Sequence, residues 1–428
     1  MHDSPAIMRS TPNSEGHWVH TWASMPMLAD SDNLPPDDII QDGVAFCNTT
    51  IRQTVRLSIG TEKFLRVRLS NAFGSKPLTI SQATLALATK DKSGTTEIHS
   101  ETIQNVRFGG SESPTIPAGA LIVSDAVNFG FPLNSNTVLS ISIFFEAGHD
   151  AQCIVTHPGS RTTSYFTKGN HVSESDFNHL AIKQNDHWYY ISGFEVFVPR
   201  DTRAFALIGD SITDGRCSVT NGDTRWPDIL FRRLQASTSK LHTSLAIVNQ
   251  AAGGNRVMDD GLGPSVLSRL DRDIISLSGV SCVMIFEGIN DIGMAPADSC
   301  SQGALSNRLI ASYKQITIRL RAQGIAIFAA TLTPFGLSQT GLLKECGNAS
   351  ANSYWNPIRE STRQSVNNWI RTSSLFDAVV DFDKILRDPA DHSLLKREYD
   401  SGDGLHPNQS AFYAMADSFP IDVFEKLF

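Results

Sequence analysis

The sequence predicts a two-part fold: a β-sandwich-like N-terminal domain over residues 1–200, then an α/β domain over residues 201–428 built as three α/β/α layers around a parallel sheet. Three observations carry this. The chain has 428 residues, enough for two or three domains with sizeable cores. Residues 50–200 alternate apolar and polar side chains in short runs separated by Gly, Pro, Asn and Ser turns. From Thr202 onward, short apolar runs alternate with longer helical patterns, the signature of a parallel sheet covered on both faces.

In the first half, Val55–Ile59 and Leu65–Leu69 place an apolar side chain at every second position, which predicts strands with one buried and one wet face. Leu78–Ala88, Ala120–Val127, Val138–Phe145 and Phe194–Val198 continue the pattern, and little between them reads as helix. In the second half, five strands are expected at Ala204–Ile208, Leu245–Asn249, Val280–Phe286, Ile325–Leu332 and Phe376–Phe382. Helices are expected at Pro227–Gln235, Leu305–Ala322, Ile358–Arg371 and Ala411–Phe419. No internal repeat is present.

Composition narrows the function. Acidic residues outnumber Lys and Arg by 44 to 36, and neither half is basic, so nucleic acid and anionic membranes are not expected partners. No run of 18 apolar residues occurs, so no membrane span is expected. The first residues lack a basic region followed by an apolar one, which favours a cytoplasmic location, or a secreted one if a leader was removed. Six scattered cysteines (Cys47, Cys153, Cys217, Cys282, Cys300, Cys346) make no disulfide framework and no zinc pattern, so most are expected as free thiols, with no metal and no cofactor. Sequons stand at Asn48, Asn348 and Asn408.

Four segments could carry chemistry. The strand Phe205–Ile208 runs into Gly209-Asp210-Ser211, and ligands in open α/β sheets sit beyond the carboxyl ends of strands, so Ser211 is where a nucleophile would be presented. The plain alternative is that Ser211 caps the next helix. Asp403 and His406 share a loop before the last helix; a hydroxyl needs a base to take its proton, and a carboxylate orients the imidazole. Equally, the pair could be a capping network or two weak metal ligands. The Gly253-Gly254 turn offers backbone N–H groups and Asn290 a side-chain amide, the donors that a developing oxyanion requires, although either segment alone reads as an ordinary turn.

Gly209-Asp210-Ser211, Gly254-Asn255, Gly288-Ile289-Asn290-Asp291 and Asp403-Gly404-Leu405-His406-Pro407 occur in this order and resemble the four blocks of the SGNH, or GDSL-type, hydrolases. The likeness covers residues 203–420, with Ile212 where the older motif name has Leu. The segments His17–Ala23, Leu65–Gly74 and Gly263–Asp273 are similar to a microbial branch of that family with a β-rich N-terminal region, labelled acylhydrolase or carbohydrate-esterase-like. No Gly-x-Ser-x-Gly pentapeptide occurs, which disfavours the ordinary α/β-hydrolase arrangement.

The resemblance implies a metal-independent serine esterase or acylhydrolase with Ser211, Asp403 and His406 as catalytic residues and Ser211, Gly254 and Asn290 as the oxyanion hole. Its expected substrates are short acyl esters of carbohydrates or polar metabolites. Two other readings stay open: an acyltransferase using the same triad with an alcohol or amine acceptor, and a glycan-binding protein with an inactive scaffold, using Trp188, Tyr189 and Tyr190 as a stacking platform. The Gly288-centred loop and residues 333–356 are expected to line the mouth of the site.

Overall fold

In a computed structural model, residues 16–337 and 353–428 are described. They form two compact units. The first ends at Arg203 and also takes Thr220–Gly222, and the second holds Ala204–Val219 and the residues from Asp223 on.

The first unit contains two larger antiparallel sheets. One orders His17–Ala23, Ile191–Val198, Leu65–Ser70 and Leu121–Val123, and the other orders Ile182–Asn185, Ser164–Lys168, Thr49–Arg56, Val138–Phe145, Gln82–Leu87 and Gln104–Asn105. The β-rich, sandwich-like expectation is met, with one shift of position: the strand expected at Val55–Ile59 runs from Thr49 to Arg56.

Its polar face is not wet. Arg52 is fully buried and donates to Ser142 Oγ (2.8 Å), Thr96 O (2.6 Å) and Glu174 O (2.8 Å), and Thr84 Oγ1 donates to Val172 O (2.8 Å). Loop carbonyls thus do the work of water, because a polar group taken out of solvent must find a partner. Trp188, Tyr189 and Tyr190 are at most 5% exposed, with Tyr189 and Tyr190 packed around Phe46, so they cannot form the expected stacking platform. The hydrophobic effect places these rings in the core.

The second unit has a five-stranded parallel sheet. Its strands are β1 (Arg203–Gly209), β2 (Leu245–Asn249), β3 (Val280–Phe286), β4 (Ala326–Ala330) and β5 (Ala378–Val380), in the order β2-β1-β3-β4-β5. Phe205 and Leu207 on one face of β1 join a core with Trp226, Leu230, Phe412, Met415 and Phe419 from helices Trp226–Gln235 and Gln409–Ser418 and the turn after them. Ala204, Ala206 and Ile208 on the other face are equally buried, and helix Ser299–Arg321 packs against β4. This is the three-layer α/β/α arrangement.

Helix starts follow from capping chemistry. Asp298, Asn356 and Asn408 each accept a backbone N–H from the first turn of the following helix, and Pro357 occupies the first helical position, where no N–H is needed. β5 is shorter than expected because Asp381 caps a helix at Phe382–Leu386. Cys47, Cys153, Cys282 and Cys300 are free thiols, whereas Cys217 is disulfide-bonded. The sequon at Asn348 and most of the expected mouth segment, residues 338–352, lie outside the described residues.

Candidate active site

β1 lies between β2 and β3, and Gly209 is in register with Phe286, so the loops leaving these three strands emerge at one edge. They are tied together. Ala252 N–H donates to Gly209 O (3.0 Å), Asn249 Nδ2 to Thr213 O (2.9 Å), and Gly253 N–H to Asp214 Oδ2 (3.0 Å). The Ser211 turn is thereby fixed to the Gly253-Gly254 turn.

Asp210, not Ser211, caps the short helix Ser211–Asp214, accepting from Ile212 N–H at 2.9 Å. The hydroxyl of Ser211 is therefore spared from capping and lies 2.8 Å from His406 Nε2. On the far side of the ring, His406 Nδ1 is 2.6 Å from Asp403 Oδ2. Asp403 Oδ1 accepts from the N–H groups of His406 (2.8 Å) and Leu405 (2.9 Å) and from the Ser401 hydroxyl (3.3 Å).

Burial resists ionisation of Asp403. The hydrogen bonds and charge of His406 and the N–H of Leu405 outweigh it and hold the carboxyl well below the usual carboxylate range. Asp403 thus stays an anion beside the ring, the state that fixes the tautomer and stabilises an imidazolium.

The expected oxyanion donors also have the required freedom. Among the described residues, no partner is found for the N–H of Ser211 or of Gly254. Gly254 has φ +71°, and a Cβ there would lie 2.5 Å from Leu262 Cδ1, so only glycine fits without movement. Asn290 follows Gly288, which has φ +129°, at the start of helix Ile289–Met294. One N–H of its amide donates to Asn255 O at 2.8 Å, leaving the other available. A serine, a base, an acid and N–H donors in this arrangement can carry acyl transfer through a tetrahedral oxyanion.

Several residues around the site escaped the sequence reading. Arg269 is fully buried and donates to Asn255 Oδ1 through Nε (3.1 Å) and Nη2 (3.0 Å) and to Gln250 O (2.8 Å), holding the glycine turn from behind. Tyr354 donates to Asn290 Oδ1 at 3.0 Å. Arg269 lies in the Gly263–Asp273 segment and Tyr354 in the expected mouth segment, but neither was given a role, because their roles come from distant parts of the chain meeting in space. Near Ser211 in the chain and in the loop after β3, Asp210, Glu287 and Asp291 are buried. Burial first, then their mutual repulsion, pushes Asp210 up to about 7 and Glu287 well above its ordinary value.

Comparison with known proteins gives three kinds of result. The solved structures that the chain resembles include a putative lipolytic protein of the G-D-S-L family from Desulfitobacterium hafniense DCB-2, at 17% identity over 51% of this chain and 97% of that one (TM-score 0.35). They also include a GDSL-like lipase from Bacteroides thetaiotaomicron VPI-5482, at 15% identity over 53% and 89% (TM-score 0.37). A third is an acetylxylan esterase from Geobacillus stearothermophilus, at 20% identity over 52% and 94% (TM-score 0.35). No curated protein matches the chain. Residues 207–412 match the model of the GDSL-like lipase/acylhydrolase family. Residues 207–412 therefore form an ester-cleaving hydrolase domain of the GDSL-like lipase/acylhydrolase type.

Proposed function

We propose that the chain hydrolyses short acyl esters of carbohydrates or polar metabolites through a covalent acyl-enzyme on Ser211. The observation that carries this is the continuous relay Ser211 Oγ to His406 Nε2 (2.8 Å) and His406 Nδ1 to Asp403 Oδ2 (2.6 Å). Ser211 Oγ attacks the ester carbonyl carbon as His406 Nε2 takes its proton, and the C=O electron pair moves to oxygen. The N–H groups of Ser211 and Gly254 and the Asn290 amide hold that oxyanion. Collapse breaks the bond to the alcohol, which leaves with the proton from His406. Water then gives a proton to His406 and attacks the acyl carbon. Release of the carboxylic acid returns the proton to Ser211 Oγ.

The short, polar substrate class is supported by the loops at the strand ends: Asn249–Arg256 and Glu287–Asp291 are rich in Gly, Asn, Gln and charged residues. A p-nitrophenyl ester series from acetate to palmitate tests both parts. The expected profile favours the short chains, and Ser211→Ala lowers kcat by about a thousandfold or more. An alkyl fluorophosphonate is expected to label wild type at Ser211 and to leave Ser211→Ala unlabelled. An active wild type that takes no label at Ser211 would remove the acyl-enzyme from the scheme. Because disulfides persist in oxidising compartments, the bonded state of Cys217 supports a secreted location over the cytoplasm.

A further inference from the structure

Asn290 can serve as an oxyanion donor only if the correct end of its amide faces the reaction. The amide has one acceptor oxygen and two N–H donors, and a flip exchanges them. Two contacts hold the amide here. Asn290 Nδ2 donates to the carbonyl oxygen of Asn255 at 2.8 Å, and the Tyr354 hydroxyl donates to Asn290 Oδ1 at 3.0 Å. A flipped amide would set its oxygen against the Asn255 carbonyl oxygen, with no proton between them. It would also turn its NH₂ toward Tyr354. The Asn255 carbonyl, which can only accept, selects the orientation; Tyr354, whose hydroxyl could serve either end, holds the selected one by donating to Oδ1, and one N–H of Asn290 is left unused.

Tyr354 is itself held in place. Its ring lies where a side chain at position 293 would be: a Cβ on Gly293 would approach Tyr354 Cδ2 to 2.3 Å. Arg359 clamps the backbone on both sides of this contact. Its Nη1 donates to Ser353 O (2.9 Å) and Tyr354 O (3.2 Å), and its Nε and Nη2 donate to Ala295 O (3.1 and 2.7 Å). Ala295 directly follows the helix Ile289–Met294 that carries Asn290 near its start. The hydroxyl is thus anchored to the same short helix as the amide it orients.

We infer that Tyr354 is a positioning residue for the oxyanion hole, fixing the Asn290 amide so that its free N–H is presented to the oxygen of the tetrahedral intermediate. The inference rests on the proposed role of Asn290 as an oxyanion donor. It assigns Tyr354 no contact with substrate. Its effect is exerted through Asn290 and belongs to the transition state, where the oxyanion exists.

The test is a double-mutant cycle on the best ester of the p-nitrophenyl series. Asn290→Ala alone is expected to lower kcat about a hundredfold or more, as loss of one such donor does elsewhere. Tyr354→Phe keeps the ring on Gly293 and deletes the hydroxyl. It is expected to lower kcat by about tenfold with KM changed by less than about twofold. In the Asn290→Ala background, Tyr354→Phe is expected to change kcat by less than about twofold, because the group it acts through is gone. Thermal melting of each variant checks that the fold is kept.

A wild-type kcat for Tyr354→Phe beside an impaired Asn290→Ala would overturn the inference and leave the oxyanion role of Asn290 standing. An equal loss from Tyr354→Phe in both backgrounds would also overturn it, since Tyr354 would then act independently of Asn290. Near-normal turnover by Asn290→Ala would overturn the parent reading and this inference together.

Discussion

Asp210, immediately before the proposed nucleophile, shows how a single residue links the site to pH. It is 2% exposed, and burial first, with repulsion from Asp291 and Asp214 second, pushes it up to about 7. Asp291 is pushed up to about 6 by burial, against the N–H groups of Val257 and Met258, which favour its anion. An acid with a raised folded pKa binds its proton more tightly folded than unfolded. Its contribution to stability is full at low pH and is lost as pH rises from 3.8 through about 7 for Asp210. Asp403 has the opposite sign: its contribution is present above the ordinary value of 3.8 and is lost on acidification below it. Asp210→Asn keeps an oxygen for the Ile212 N–H and removes the titration. The expected result is a flatter melting temperature against pH between 3.8 and about 7, measured by thermal scans across that window. A slope equal to wild type would mean that Asp210 does not titrate there.

At the scale of elements, the site depends on what terminates each strand and starts each helix. His406 lies in a loop closed by the Ser401 N–H to His406 O bond (3.1 Å) and by Asn408. Asn408 Oδ1 accepts from Ala411 N–H (3.1 Å), while its Nδ2 donates to Glu398 O (3.0 Å) and Asp400 O (3.1 Å). One side chain thus caps the last long helix and ties down the loop that supplies the proposed acid and base. Asn408→Ala is expected to cost about 1–2 kcal/mol in a denaturant melt and to lower kcat, because the imidazole loses its fixed approach to Ser211. Unchanged stability would show that the cap contributes nothing. The same nitrogen is the glycosylation acceptor of the sequon, and a glycan there would replace one of its two hydrogens and so remove at least one of these hydrogen bonds. The parallel strands were readable because strands buried on both faces are written as continuous apolar runs. The strand expected at Val55–Ile59 runs instead over Thr49–Arg56, where the buried Arg52 shows that alternation reports polarity and not what covers it.

On the scale of the whole molecule, the redox state of the thiols is a global observable. Alkylation of denatured, unreduced protein is expected to modify Cys47, Cys153, Cys282 and Cys300 and to spare Cys217 until reductant is added, as read by peptide mass spectrometry. Labelling of Cys217 without reduction would remove the support for an oxidising compartment. The sequence by itself determined a β-rich region followed by a parallel sheet and offered Ser211, Gly254, Asn290, Asp403 and His406 as candidates, because strand periodicity, glycine turns and the Asp-to-His spacing are local and leave a local trace. Only the tertiary structure decided that Asp210 rather than Ser211 caps the helix, that Arg269 and Tyr354 brace Asn255 and Asn290, and that Trp188, Tyr189 and Tyr190 are core. The reason is physical: each of these depends on which hydrogen-bond partner or apolar surface wins once distant segments compete for the same space, and that competition has no counterpart in the order of residues along the chain.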